Sequence, residues 1–112
     1  MENLEKMIRM TSEEICKKFS QNVKLPEFID EYYRRNYMGY TNVIDTEAVI
    51  FNRDGIMVTM SAYIHINETD NGGYEIVDVK DLVIFITGQT NLGYDVLYPG
   101  EDMSNEILKL IK

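Results

Sequence analysis

His65 is the one histidine of the chain and the one side chain whose ordinary pKa lies near neutrality, so acid–base chemistry would have to be built around it. Ile56, Val58, Met60, Ala62, Ile64 and Ile66 alternate with Met57, Thr59, Ser61, Tyr63, His65 and Asn67, a period of two that predicts a half-buried strand with His65 on its outer face. Ser61 shares that face, but four strand residues span about 13 Å, too far for a serine–histidine hydrogen bond. Asp45 is better placed. On the facing strand it is expected opposite Tyr63 and diagonal to His65, at roughly 7 to 8 Å between backbones, which long side chains can bridge. An Asp45–His65 dyad beside Tyr63 and Glu47 could move protons on a bound small molecule. The simpler reading is a surface histidine on a strand.

Other chemistries find less support. A structural zinc site needs four Cys or His ligands, and Cys16 and His65 are the only two such residues. No Walker loop, dinucleotide glycine fingerprint or nucleophile elbow is present, so no cofactor is implied and neither a metalloenzyme nor a nucleotide hydrolase is expected. The segment Asn67 to Gly73 (NETDNGG) has calcium-loop residue types without the spacing or the terminal glutamate, and reads as a solvated turn. Tyr32, Tyr33, Tyr37 and Tyr40 crowd around Arg34 and Arg35, a composition that can stack on bases but is equally that of a protein interface or a tyrosine rim on a sheet. Cys16 reads as a small buried residue.

The elements that must position these groups centre on Asn42 to Asn67, a long antiparallel hairpin. Asn52-Arg53-Asp54-Gly55 suits a type I turn closed by a left-handed glycine, with Asn52 opposite Ile56. Ile50 then falls opposite Val58, Ala48 opposite Met60, Thr46 opposite Ala62 and Ile44 opposite Ile64, all apolar-face pairs. A two-residue loop would put Ile50 against the wrong face and is disfavoured on that ground. Before the hairpin, Glu2 to Ser20 carries Leu4, Met7, Ile8, Ile15 and Phe19 on one stripe, which predicts a continuous helix despite a capping-box pattern at Thr11 and Glu14. A second helix is expected from Pro26 to Met38, stopped by Gly39. After the hairpin, a third strand begins at Tyr74. It is interrupted by a bulge or bend within Asp78 to Asp81, then runs through Leu82 to Ile86, apolar on both faces. Tyr94 to Tyr98 supplies a short fourth strand. A final helix from about Asp102 or Ser104 turns Met103, Ile107, Leu108, Leu110 and Ile111 to the sheet. The expected fold is therefore α+β over residues 1–112, one domain: two N-terminal helices, a four-stranded antiparallel sheet built on the long hairpin, and a C-terminal helix.

The net charge of −8 is uneven. Residues 1–41 hold seven acids and seven bases, whereas residues 42–112 hold twelve acids and four bases, which accounts for all of it. Such a field disfavours direct contact with nucleic acid or anionic membrane and steers toward basic partners. With one cysteine, no secretory pattern at the N-terminus and no apolar run long enough to span a bilayer, a cytoplasmic setting is expected. These features point to a small acidic protein-binding module. Concretely, it would be an inhibitor or immunity-type protein, for example phage-encoded, that mimics nucleic acid on the basic surface of a partner. Its expected contact residues are Asp45, Glu47, Tyr63, His65, Glu68, Asp70, Glu75, Asp78, Asp81 and Asp95. The alternative is a small-molecule-binding or acid–base enzyme domain of cone-shaped sheet type on the Asp45/His65 face. The outward apolar residues Val49, Phe51, Met57 and Tyr63, with the two-faced Leu82 to Ile86, further predict a homodimer through the sheet. A tyrosine-bearing helix crossed over that face is the alternative.

Overall fold

The computed structural model describes residues 2–36, 39, 42–88 and 96–112. Its elements, in chain order, are α1 (Glu2–Ile8), α2 (Ser12–Asn22), α3 (Glu31–Asn36), β1 (Val43–Arg53), β2 (Ile56–Glu68), β3 (Tyr74–Gly88), β4 (Val96–Leu97) and α4 (Glu101–Ile111). The strands form one antiparallel sheet in the order β1-β2-β3-β4. The α+β architecture with N-terminal helices and a C-terminal helix is as the periodicities predict.

The N-terminal helix is broken rather than continuous. Arg9 adopts a left-handed φ of 57°, and the Met10 N–H reaches back to the Glu5 carbonyl at 3.2 Å, the six-to-one closure of a Schellman end. Thr11 then caps α2, its hydroxyl accepting from the Glu14 N–H at 3.2 Å, while the Ser12 hydroxyl donates back to Glu5. The break leaves several backbone groups without helical partners, the Arg9–Met10 closure and the Thr11 cap satisfy part of them, and Leu4, Ile8, Ile15 and Phe19 still reach one core. Thr11→Ala is accordingly expected to cost about 1 kcal/mol of unfolding free energy, read as a shift in urea midpoint at unchanged slope.

The helix expected from Pro26 starts instead at Glu31. Asp30 accepts the Tyr33 N–H at 2.7 Å, an N-cap bond, and the Ile29 N–H is committed to the Gly72 carbonyl at 2.8 Å. With Ile29 buried and the Tyr74 hydroxyl donating to the Pro26 carbonyl, the segment before α3 is tied to the β2–β3 turn and cannot be helical. The expected end of that helix, Tyr37 and Met38, lies outside the described residues, as does Tyr94 of the expected fourth strand.

The hairpin also corrects one expectation. Asp54 and Gly55 have φ of 56° and 77°, both positive, and Arg53 pairs with Ile56: a two-residue loop of type I′, not a longer loop closed by a bulge. The register so set would bury the wrong face of β1. A bulge between Val49 and Phe51 restores it, so that Thr59 faces Val49, Met60 faces Ala48 and Ile64 faces Ile44 as predicted, while Val58 faces Phe51 rather than Ile50. Ile50 stays buried at 2% exposure. On β3 the expected irregularity is present. Asp81, at φ 53°, and Leu82 together oppose Ala62, and a second break leaves Val77 extra between Ile76 and Asp78.

One face of the sheet carries the core: Ile44, Ala48, Val58, Met60, Ala62, Ile64, Val79, Leu82, Ile84 and Ile86. Thr46 is buried there with its hydroxyl satisfied by the Ala62 carbonyl at 3.0 Å. Against that face α2 packs over β1, and α4 packs over β3 and against α2. From α4, Met103 and Ile107 are buried and Leu108 and Ile111 half-buried, whereas Leu110, expected inward, is 40% exposed. Tyr33 packs against the same core, so α3 does not cross to the other face of the sheet.

Candidate functional site

The register decides which side chains share the outer face, because cross-strand partners in an antiparallel pair project to the same side. From the tight-turn end the rows are Met57–Thr87, then Val49–Thr59–Phe85–Val96, then Glu47–Ser61–Val83. Beyond them come Asp45–Tyr63–Lys80, Val43–His65–Asp78 and Asn67–Glu75. Among the described residues no helix packs on this face. It is graded along its length. Val49, Met57 and Phe85 are 44%, 37% and 39% exposed at one end, and the carboxylates Asp45, Glu47, Glu75 and Asp78 gather at the other beside Lys80.

Six expected contact residues thus lie together: Asp45, Glu47, Tyr63, His65, Glu75 and Asp78. The others do not join them. Glu68 is ion-paired with Arg34 of α3, Asp70 sits in the exposed β2–β3 turn, and Asp81 occupies the β3 bulge. Asp95 lies outside the described residues. In the β2–β3 turn, Asn71 accepts from both the Thr69 hydroxyl (2.6 Å) and the Gly73 N–H (3.1 Å), a self-satisfied Asx turn. Among the described residues no three His, Cys, Asp or Glu side chains converge to hold a metal ion.

The carboxylate directly opposite His65 is Asp78 rather than Asp45. The Val79 N–H at 2.8 Å, with Lys80 (3.3 Å to the carboxylate) and His65 nearby, holds Asp78 below the usual carboxylate range. Asp45 makes no hydrogen bond to His65 and remains exposed. Asp45 keeps its expected place opposite Tyr63 and diagonal to His65, and β3 adds Asp78 directly across from His65. The reason is the break at Val77, which sets the register of β3 and carries no marker in the sequence pattern.

Cys16 is buried beneath a concavity of about 520 Å³ lined by Ser12, Glu13, Asp102, Met103 and Glu106. Burial first, then the charges of Glu106 and Glu13, push its thiol up to about 11 from 9.0. Between those values the folded chain keeps a proton that the unfolded chain releases, so this group stabilises the fold below about pH 9 and the contribution is lost as pH rises toward about 11. Cys16→Ala is expected to flatten that alkaline slope in urea melts. The native thiol should resist alkylation at pH 8 until the chain is unfolded. The tyrosines near Arg34 are partly placed: Tyr32 is exposed and Tyr33 half-buried, while Tyr37 and Tyr40 lie outside the described residues.

No family model, no curated protein and no solved structure matches the chain, so what the outer face does rests on its own geometry and charge.

Proposed function

We propose that the protein is a small acidic binding module that uses the helix-free face of its sheet to engage a basic protein surface, as an inhibitor or immunity-type protein covering a nucleic-acid-binding site would. The observation that carries this reading is the segregation of Asp45, Glu47, Glu75 and Asp78, with Tyr63 and His65, at one end of an uncovered sheet face. A rigid three-strand platform fixes the spacing of those charges, which favours a specific partner over diffuse attraction. With the partner isolated from a cognate lysate, affinity is expected to fall about tenfold or more between about 50 and 150 mM salt. Affinity indifferent to salt would refute charge mimicry.

The apolar end of the same face supports a second contact. Val49, Met57 and Phe85 form an exposed strip next to Val83 and Val96, surface that a monomer seldom leaves contiguous. A two-fold pairing of these strips keeps the two acidic ends apart. Light scattering is expected to give twice the 13.1 kDa chain mass, and Phe85→Glu to return a folded monomer. A wild-type monomer at tens of micromolar would remove the dimer from the account.

A further inference from the structure

We propose that the open edge of β1, from Val43 to Val49, receives an extended basic segment of a protein partner as an added strand. The proposal deepens the binding-module reading and rests on it for the sign of the partner's charge. Among the described residues β1 is the outermost strand of the sheet and pairs only with β2. The Ile66 N–H donates to the Asn42 carbonyl at 3.0 Å, which makes Asn42 and Ile66 a hydrogen-bonded pair. Bonded and non-bonded pairs alternate along an antiparallel ladder. Ile44, Thr46 and Ala48 therefore spend their backbone groups on β2, and Val43, Asp45, Glu47 and Val49 turn both N–H and C=O to the open edge.

Those same residues include the two carboxylates on the outer face. A strand added here would pair residue for residue with Asp45 and Glu47, so lysine or arginine at positions i and i+2 of the newcomer would lie directly beside them. The residues between would fall on the core side, next to Ile44, Thr46 and Ala48. A second copy of β1 fits poorly, because the antiparallel registers centred on this stretch set Asp45 or Glu47 against a carboxylate of the other copy. The other side of the sheet offers no equivalent. Among the described residues β4 pairs with Ile84 and Phe85, and the rest of β3 is broken by the irregularities at Val77 and at Asp81–Leu82, which disrupt a regular ladder. On β1 the register holds from Val43 to Val49 and breaks only at Ile50, which also sets the length of the site.

The test uses the full chain, isotope-labelled, and a capped seven-residue peptide of alternating valine and lysine, with a second peptide N-methylated at its lysines to keep the charge and remove the strand-forming N–H groups. The plain peptide is expected to slow amide exchange at Asp45 and Glu47 and to bind at least about tenfold more tightly than the N-methylated one. Exchanging both carboxylates, Asp45→Lys with Glu47→Lys, is expected to weaken it about tenfold and to admit an alternating valine–glutamate peptide instead. Equal binding of the two lysine peptides, with salt sensitivity intact, would overturn strand addition and leave the acidic-module reading standing. Binding that needs the free N–H groups yet ignores salt would support the edge and overturn the charge reading. No binding at about 1 mM peptide in low salt would overturn the proposal.

Discussion

Phe19→Ala is expected to cost about 3 to 5 kcal/mol, the largest loss from any single truncation in α2. Phe19 is fully buried on a helix that packs at once on β1 and on α4, so the void has walls on three sides and little room to collapse. Stability for a chain of this size is on the order of 5 to 15 kcal/mol, and the loss would therefore be a large fraction of it. Urea unfolding should show a lower midpoint at unchanged slope, whereas the neighbouring exposed Lys18→Ala should stay within about 0.5 kcal/mol of wild type.

Gly88→Ala is the second large effect, expected at about 2 kcal/mol or more. Gly88 ends β3 opposite Ile56 with φ +99°, and a Cβ there would stand 1.9 Å from the Gly55 carbonyl oxygen. Backbone strain and a backbone clash coincide, and neither is relieved by turning a side chain. The accessible escape is to peel Thr87 and Gly88 from Met57 and Ile56, so amide exchange at the hairpin end should quicken together with the loss of stability. Gly100→Ala, where an added Cβ meets nothing and only the poorer N-cap propensity of alanine at the start of α4 counts, should cost less, about 0.5 to 1 kcal/mol.

The elements most legible in the sequence are those with a strong period. Alternation from Ile56 to Asn67 predicts β2 and its two faces, and all seven regular pairs from Val43–His65 to Val49–Thr59 need nothing more than the apolar pattern of both strands. The turn is where pattern misleads. Periodicity favours a loop that keeps Ile50 opposite Val58, but Asp54-Gly55 is a strong local signal for type I′, and the chain obeys it at the cost of a bulge at Ile50. The capping pattern at Thr11 and Glu14 likewise prevails over an unbroken helical stripe, because a left-handed Arg9 allows both helix ends to be closed. Proline is a permitted helix start rather than a required one, and Asp30 displaces Pro26 once Ile29 is bonded to Gly72.

The candidate site divides in the same way. Asp45, Glu47, Tyr63 and His65 are assigned to one face by the hairpin alone, whereas the arrival of Asp78 opposite His65 depends on the break at Val77, one of two breaks in β3. Of these, the bulge near Asp81 is legible, since strict alternation would drive charged residues inward. The extra residue at Val77 is not, because an apolar side chain there is compatible with either face. Glu68 reads as a free acid in sequence and becomes the partner of Arg34 only when α3 is docked beside the β2–β3 turn.

If location on the outer sheet face, and not acidity in general, makes the proposed binding surface, charge removed there should cost more affinity than charge removed elsewhere. Two variants with equal loss of charge test it most directly: Asp45→Asn with Glu47→Gln and Glu75→Gln on the sheet, against Glu2→Gln with Glu13→Gln and Asp102→Asn on the helices. All six side chains are exposed, so both variants should fold. Affinity for the isolated partner at low salt is expected to fall about tenfold or more in the sheet variant, with a flatter salt dependence, and to stay within about twofold in the helix variant. Equal losses in the two, or none in the sheet variant, would contradict the account.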